Sequence, residues 1–202
     1  MKKERIPGIT FQIEMPVVNN EVIETLSKNQ LTKLVGVLRK SPDVQISRLM
    51  MMALYTGMRK GELLKLKWQD VDSDAGVIYI REPKGKRDVR IPLNQSARDV
   101  LCNHPRHGEY VFANKKGEPF RDIRKRVEKI RTAADLPGDF RPIHGLRHVF
   151  ATTLANSKQV DIYTLQRLLT HRDIKTTSRY AHLLDQRLQD AAAVMDSAIN
   201  DM

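Results

Sequence analysis

Leu168-Leu169-Thr170-His171-Arg172-Asp173 closes a helical pattern that starts at Ile162, and Tyr180 follows its histidine by nine residues. Two earlier stretches concentrate the same residue types. Thr56-Gly57-Met58-Arg59-Lys60-Gly61-Glu62-Leu63 places an arginine just after a Thr-Gly break between two helical patterns, with Gly57 at the corner. His144-Gly145-Leu146-Arg147-His148 opens a further helical pattern that runs to Ala155.

These residues suit metal-free phosphoryl transfer, in which a nucleophile attacks a phosphodiester and the negative charge that develops must be stabilised. Arg59 and Arg147 are assigned to that clamp, because a guanidinium fork is always charged and donates paired hydrogen bonds to nonbridging oxygens. Apolar neighbours (Met58 and Leu63; Leu146, Val149 and Phe150) are expected to anchor both arginines at the edge of a core. Glu62, one turn after Arg59, either orients that arginine or pairs with Lys65. Tyr180 is a poor nucleophile at the usual tyrosine pKa of about 10, so a base must take its proton, and His144 is expected to be that base. His144 and His148 also have the i,i+4 spacing of zinc-binding pairs. The glutamate that normally accompanies such a pair is missing, and two arginines beside a cation would repel it. No metal is therefore expected, and His148 is read as packed or hydrogen-bonded within its helix.

The rest of the chain predicts a mainly α-helical fold with a small antiparallel β-sheet, an α+β architecture. Ser27 and Gln30 have the form of a capping box, after which Leu31, Leu34, Val35 and Leu38 recur on one face. A second helix runs through Ile46, Leu49, Met50, Ala53 and Leu54, and others are expected over Gln95–Cys102 and Asp122–Ala134. Val77-Ile78-Tyr79-Ile80 and Val89-Arg90-Ile91-Pro92 read as a hairpin whose tip, Glu82 to Asp88, is basic. Residues 1–20 read as a linker or tail and 21–202 as one domain. An amphipathic stretch from Leu184 to Ala198 is expected to dock on a neighbouring protomer or on its own domain.

Lys and Arg number 35 against 24 Asp and Glu, a net charge of +11 over 202 residues that favours a polyanionic partner, nucleic acid foremost. Cys102 is the only cysteine, so these residues form no disulfide among themselves and hold no Cys cluster for structural zinc. With no apolar run of membrane-spanning length, a cytoplasmic, nucleoid-associated protein is expected.

In this order and at these spacings, the motifs resemble the tyrosine recombinases of the phage-integrase type: an arginine after a Thr-Gly turn, a hairpin lysine, a His-x-x-Arg box, a second histidine, and a tyrosine nine residues later. The resemblance implies the catalytic-domain fold of that family and the catalytic set Arg59, Lys84, His144, Arg147, His171 and Tyr180. It implies site-specific DNA recombination in which Tyr180 forms a 3′-phosphotyrosyl bond, needing neither cofactor nor metal. Lys84 would protonate the departing 5′ oxygen, His171 would donate to the phosphate or the leaving oxygen, and Lys86 and Arg87 would contact DNA. The implied partners are double-stranded DNA at attachment-type sites and further protomers in a tetramer. The N-terminal DNA-clamping domain usual in the family finds no counterpart here. Two other readings share these residues: strand relaxation like that of a type IB topoisomerase, and a catalytically silent DNA-binding regulator.

Overall fold

The computed structural model describes residues 24–81, 89–157 and 159–183. Helix α1 (Lys28–Lys40) starts at the capping box: the Gln30 N–H donates to the Ser27 hydroxyl at 3.2 Å, and the Ser27 N–H to the Gln30 side chain at 2.9 Å. On its expected face, Leu34 and Leu38 are buried while Leu31 and Val35 are half-buried. Helix α2 (Val44–Thr56) is capped by Asp43, whose carboxylate accepts from the Ile46 N–H and from two nitrogens of Arg126. Its Ile46, Leu49, Met50, Met52 and Ala53 are all buried, and α1, α4, α5 and α6 pack around it. A helix apolar nearly all round can be stable only at the centre of a fold, and α2 stands there.

Gly57 ends α2 in the left-handed region, at φ 66°, where a β-carbon would lie 2.5 Å from the Phe150 ring. Both the turn and the close approach of α6 require glycine. The chain then enters α3 (Lys60–Lys65), a short 3-10 turn, and a three-stranded antiparallel sheet of β1 (Val71–Asp72), β2 (Val77–Ile80) and β3 (Val89–Pro92) in that order. Ile78 pairs with Ile91 across the hairpin, and both face the core. The two longer strands are those expected. Strand β1 is an addition, since two residues are too few to show alternation. Lys84, Lys86 and Arg87 fall outside the described residues, as do the 1–20 tail and the stretch from Leu184 onward.

Helices α4 (Gln95–Cys102), α5 (Arg124–Ala133), α6 (Pro142–Asn156) and α7 (Ile162–Leu168) follow, then 3-10 helices Ile174–Thr176 and Ser178–Leu183. Helix α6 begins two residues before the expected His144, because Pro142 supplies a first-turn φ and lacks an N–H that would go unbonded there. Helix α5 begins two residues after Asp122, whose carboxylate accepts from the Arg124 N–H. Most buried side chains form one core around α2; a second, smaller cluster joins Ala151, Ala155, Leu165, Leu169 and Tyr180. Among the described residues, no helix is long and apolar enough to cross a membrane.

Candidate active site

Arg147 lies in the second turn of α6 and is only 6% exposed. Its Nη1 donates to the Gly57 carbonyl at 2.6 Å and its Nη2 to the Leu169 carbonyl. One guanidinium thus ties the corner after α2 to the end of α7. Among the described residues, nothing else takes its Nε–H or the second N–H on each terminal nitrogen, and these can serve a ligand. Burial, and then the charge of Arg59, push its pKa down to about 10, so it is still charged at neutral pH. Gly145, two residues earlier, leaves room for Phe140, whose ring would lie 2.2 Å from a β-carbon there.

Arg59 stands at the N-cap of α3. Its Nη1 donates to Glu62 Oε1 at 2.9 Å, and both terminal nitrogens donate to the Thr170 carbonyl at 3.1 Å. The other Glu62 oxygen accepts from the Arg59 backbone N–H at 2.7 Å. Of the two partners weighed for Glu62, the structure pairs it with Arg59. Thr170 holds a left-handed φ of 52°, rare without glycine, and its hydroxyl bonds both Arg59 and Glu62. Both arginines therefore grip successive carbonyls at the end of α7, just before His171.

His171 is half-buried, with Nδ1 2.8 Å from the hydroxyl of the buried Thr177. Burial first, then Arg147, Arg59 and Arg179, push its pKa down to about 3. Tyr180 is 2% exposed in the small core, and its hydroxyl lies 2.7 Å from Nδ1 of His148. His148 Nε2 in turn lies 2.9 Å from Nε2 of His144, which is exposed. Burial holds the Tyr180 hydroxyl above its ordinary pKa, with Arg179 and Arg147 pulling the other way. Burial, then His144 and the nearby arginines, push His148 down to about 4, and His144 is lowered mainly by burial.

An open cleft of about 960 Å³ gathers Arg59, Arg147, His148, His171, Arg179 and Tyr180, with Lys60, Arg124, Lys125 and Arg141 around it. The partner of the tyrosine hydroxyl is thus His148, whereas His144, the expected base, reaches it only through His148. The i,i+4 spacing that suggested a metal pair instead sets the two rings in hydrogen-bond contact. Among the described residues, no group of three His, Cys, Asp or Glu is placed to hold a metal. Arg179 was not singled out in the sequence; its position next to Tyr180 was the available signal. Its Nε is buried without a hydrogen-bond partner, and no carboxylate among the described residues pairs with it. Lys84 lies outside the described residues.

The pattern of the phage integrase family matches residues 24–187, most of the chain. The chain belongs to the phage integrase family. Among its relatives, tyrosine recombinase XerA of Saccharolobus solfataricus is 29% identical over 195 residues, covering 95% of this chain and 63% of that protein. Tyrosine recombinase XerC of Oceanobacillus iheyensis is 31% identical over 196 residues, covering 89% of this chain and 63% of its own length. The chain thus spans less than two thirds of these relatives. The fold matches a crystal structure of XerH site-specific recombinase bound to palindromic difH substrate, a post-cleavage complex, with a TM-score of 0.71, 27% identity, and coverage of 96% of this chain and 60% of that one. It also matches the catalytic domain of bacteriophage HP1 integrase with a TM-score of 0.65 at 24% identity, covering 85% of this chain and 95% of that domain. What the integrase match covers is the tyrosine recombinase catalytic domain, mainly α with its small antiparallel sheet.

Proposed function

We propose that this chain carries out site-specific DNA strand cleavage and rejoining, with Tyr180 as the nucleophile and a 3′-phosphotyrosyl bond as the intermediate. One observation carries the reading: Arg59 and Arg147, held on adjacent carbonyls at the end of α7, share one basic cleft with His171 and Tyr180. The free N–H groups of the arginines take the nonbridging oxygens of the scissile phosphate, and their fixed charge stabilises the phosphorane. Glu62 and Thr170 orient Arg59, and Arg179 adds positive charge beside the nucleophile. His171, neutral and held by Thr177, donates from Nε2 to the phosphate or the leaving oxygen. Lys84 protonates the departing 5′ oxygen, and Lys86 and Arg87 contact the DNA backbone. Because one phosphoester replaces another, the bond energy is conserved, and the 5′ hydroxyl of a partner strand reverses the step. Four protomers on two duplexes form the working assembly.

The test uses nicked suicide duplexes carrying a site captured from a randomised pool, with covalent adduct formation as the readout. The wild-type chain is expected to form an adduct that resists denaturant, and Tyr180→Phe to bind the same duplex without forming one. Adduct formation by Tyr180→Phe would sink the assignment. Relaxation of an unsynapsed supercoiled plasmid, with no strand exchange between two sites, would instead favour topoisomerase-like chemistry.

A further inference from the structure

We propose that His148 takes the proton of the Tyr180 hydroxyl, and that His144 is the second link of a relay leading from the buried nucleophile to solvent. The proposal rests on the strand-cleaving reading above and assigns the base within it.

Hydrogen bookkeeping fixes the direction of the chain. Tyr180 is buried, and its only hydrogen-bond partner among the described residues is His148 Nδ1, at 2.7 Å. If Nδ1 carried the hydrogen, the tyrosine O–H would be buried with nothing to donate to, which native interiors avoid. Nδ1 is therefore the acceptor, and neutral His148 carries its hydrogen on Nε2. That hydrogen points at His144 Nε2, 2.9 Å away, which must then be bare, leaving the hydrogen of His144 on Nδ1. His144 is exposed and opens the relay to water.

In the reaction, the Tyr180 oxygen bonds to phosphorus as the P–O5′ bond breaks. The phenolic proton moves to His148 Nδ1, the Nε2 proton moves to His144 Nε2, and His144 releases its Nδ1 proton to solvent. The 5′ oxygen takes its own proton from the acid assigned above to Lys84. His148 is neutral at pH 7 and can accept. The groups facing the pair are Arg141 at the N-cap of α6 and Arg147 within it, His171, Arg179 and Tyr180 on the segment after α7, and Glu24 beside His144. In the free protein burial first, then His144 and the arginines, hold imidazolium down. A bound phosphodiester offsets their charge, so DNA binding raises the basicity of His148 where and when it is needed.

The experiment follows adduct formation by the whole chain on the captured nicked duplex, with sulfur in place of the bridging 5′ oxygen so that departure needs no proton. His148→Asn keeps an acceptor for the tyrosine O–H but cannot take its proton. It is expected to slow adduct formation about 10²–10⁴-fold while leaving duplex binding unchanged. His144→Asn is expected to slow it less, and imidazole to restore part of the rate in His148→Gly. A wild-type rate for His148→Asn, or a greater loss for His144→Asn, overturns the relay. Nitrogen-15 NMR of the wild-type chain at pH 7 tests the first link without DNA: Nε2–H on His148 is expected, and Nδ1–H overturns it. A Tyr180-linked adduct indifferent to His148 overturns the relay alone. If the wild type formed no adduct, the strand-cleaving reading itself would fall, and the relay as a catalytic device with it.

Discussion

Arg147 shows how much one side chain is asked to do. It is buried, charged, and bonded to two backbone carbonyls from segments far apart in sequence. Arg147→Lys keeps the charge but cannot span Gly57 and Leu169 while presenting a fork. In single-turnover cleavage it is expected to lose about 10²–10³-fold, the cost of removing one charge-stabilising donor group; loss of a few-fold would mean that the fork geometry is dispensable. Gly57→Ala forces a β-carbon into a left-handed turn and against Phe150, so it is expected to cost about 1–3 kcal/mol in denaturant unfolding. The histidines set a pH dependence. His104 and His148 are pushed down to about 4 and His171 to about 3, all chiefly by burial. A pKa lowered by folding contributes stability that is fully present above the unfolded value of about 6.5 and is lost as pH falls through the folded value. Calorimetric melting temperatures should therefore be flat above pH about 7 and fall between about 6.5 and 4, starting above the carboxylate range. At this scale the gathering of Arg59, Arg147, His144, His171 and Tyr180 around one cleft was legible from type and spacing. The contact of Tyr180 with His148 was not, because it depends on how the last 3-10 helix packs on α6.

At the scale of elements, local chemistry sets the boundaries. Asp43 both caps α2 and takes two hydrogen bonds from Arg126 of α5, joining the central helix to its neighbour. Asp43→Ala removes both and is expected to cost more than the roughly 1 kcal/mol of a lost cap. Asp43→Asn keeps the cap oxygen and should recover most of that; equal costs in thermal unfolding would show that the ion pair, not the cap, matters. The Ser27–Gln30 capping box, the Gly57 corner and the β-prone runs of the hairpin could be read directly from the chain because each is signalled by residue types within a short stretch. Strand β1 could not, because it is recruited by its pairing with β2. Nor could the cover on the N-terminus of α6, where the Glu24 carboxylate accepts from the Arg141 N–H at 3.0 Å across 117 residues of sequence.

For the whole molecule, the net charge of +11 acquires a location, since Lys60, Arg124, Lys125 and Arg141 line the same cleft as the candidate nucleophile. Duplex binding should weaken with salt, each neutralised phosphate contributing about −0.9 to the log-log slope. Lys125→Gln should make that slope shallower by about one such contact, as read by titrations at several ionic strengths; an unchanged slope would take Lys125 off the DNA path. The proposed intermediate is covalent, and one measurement reaches it directly: protease digestion of the trapped adduct, followed by mass spectrometry of the nucleotide-bearing peptide. A 3′-phosphoryl nucleotide on Tyr180 is expected; the same nucleotide on another residue, or on none, would rule out Tyr180 as the nucleophile.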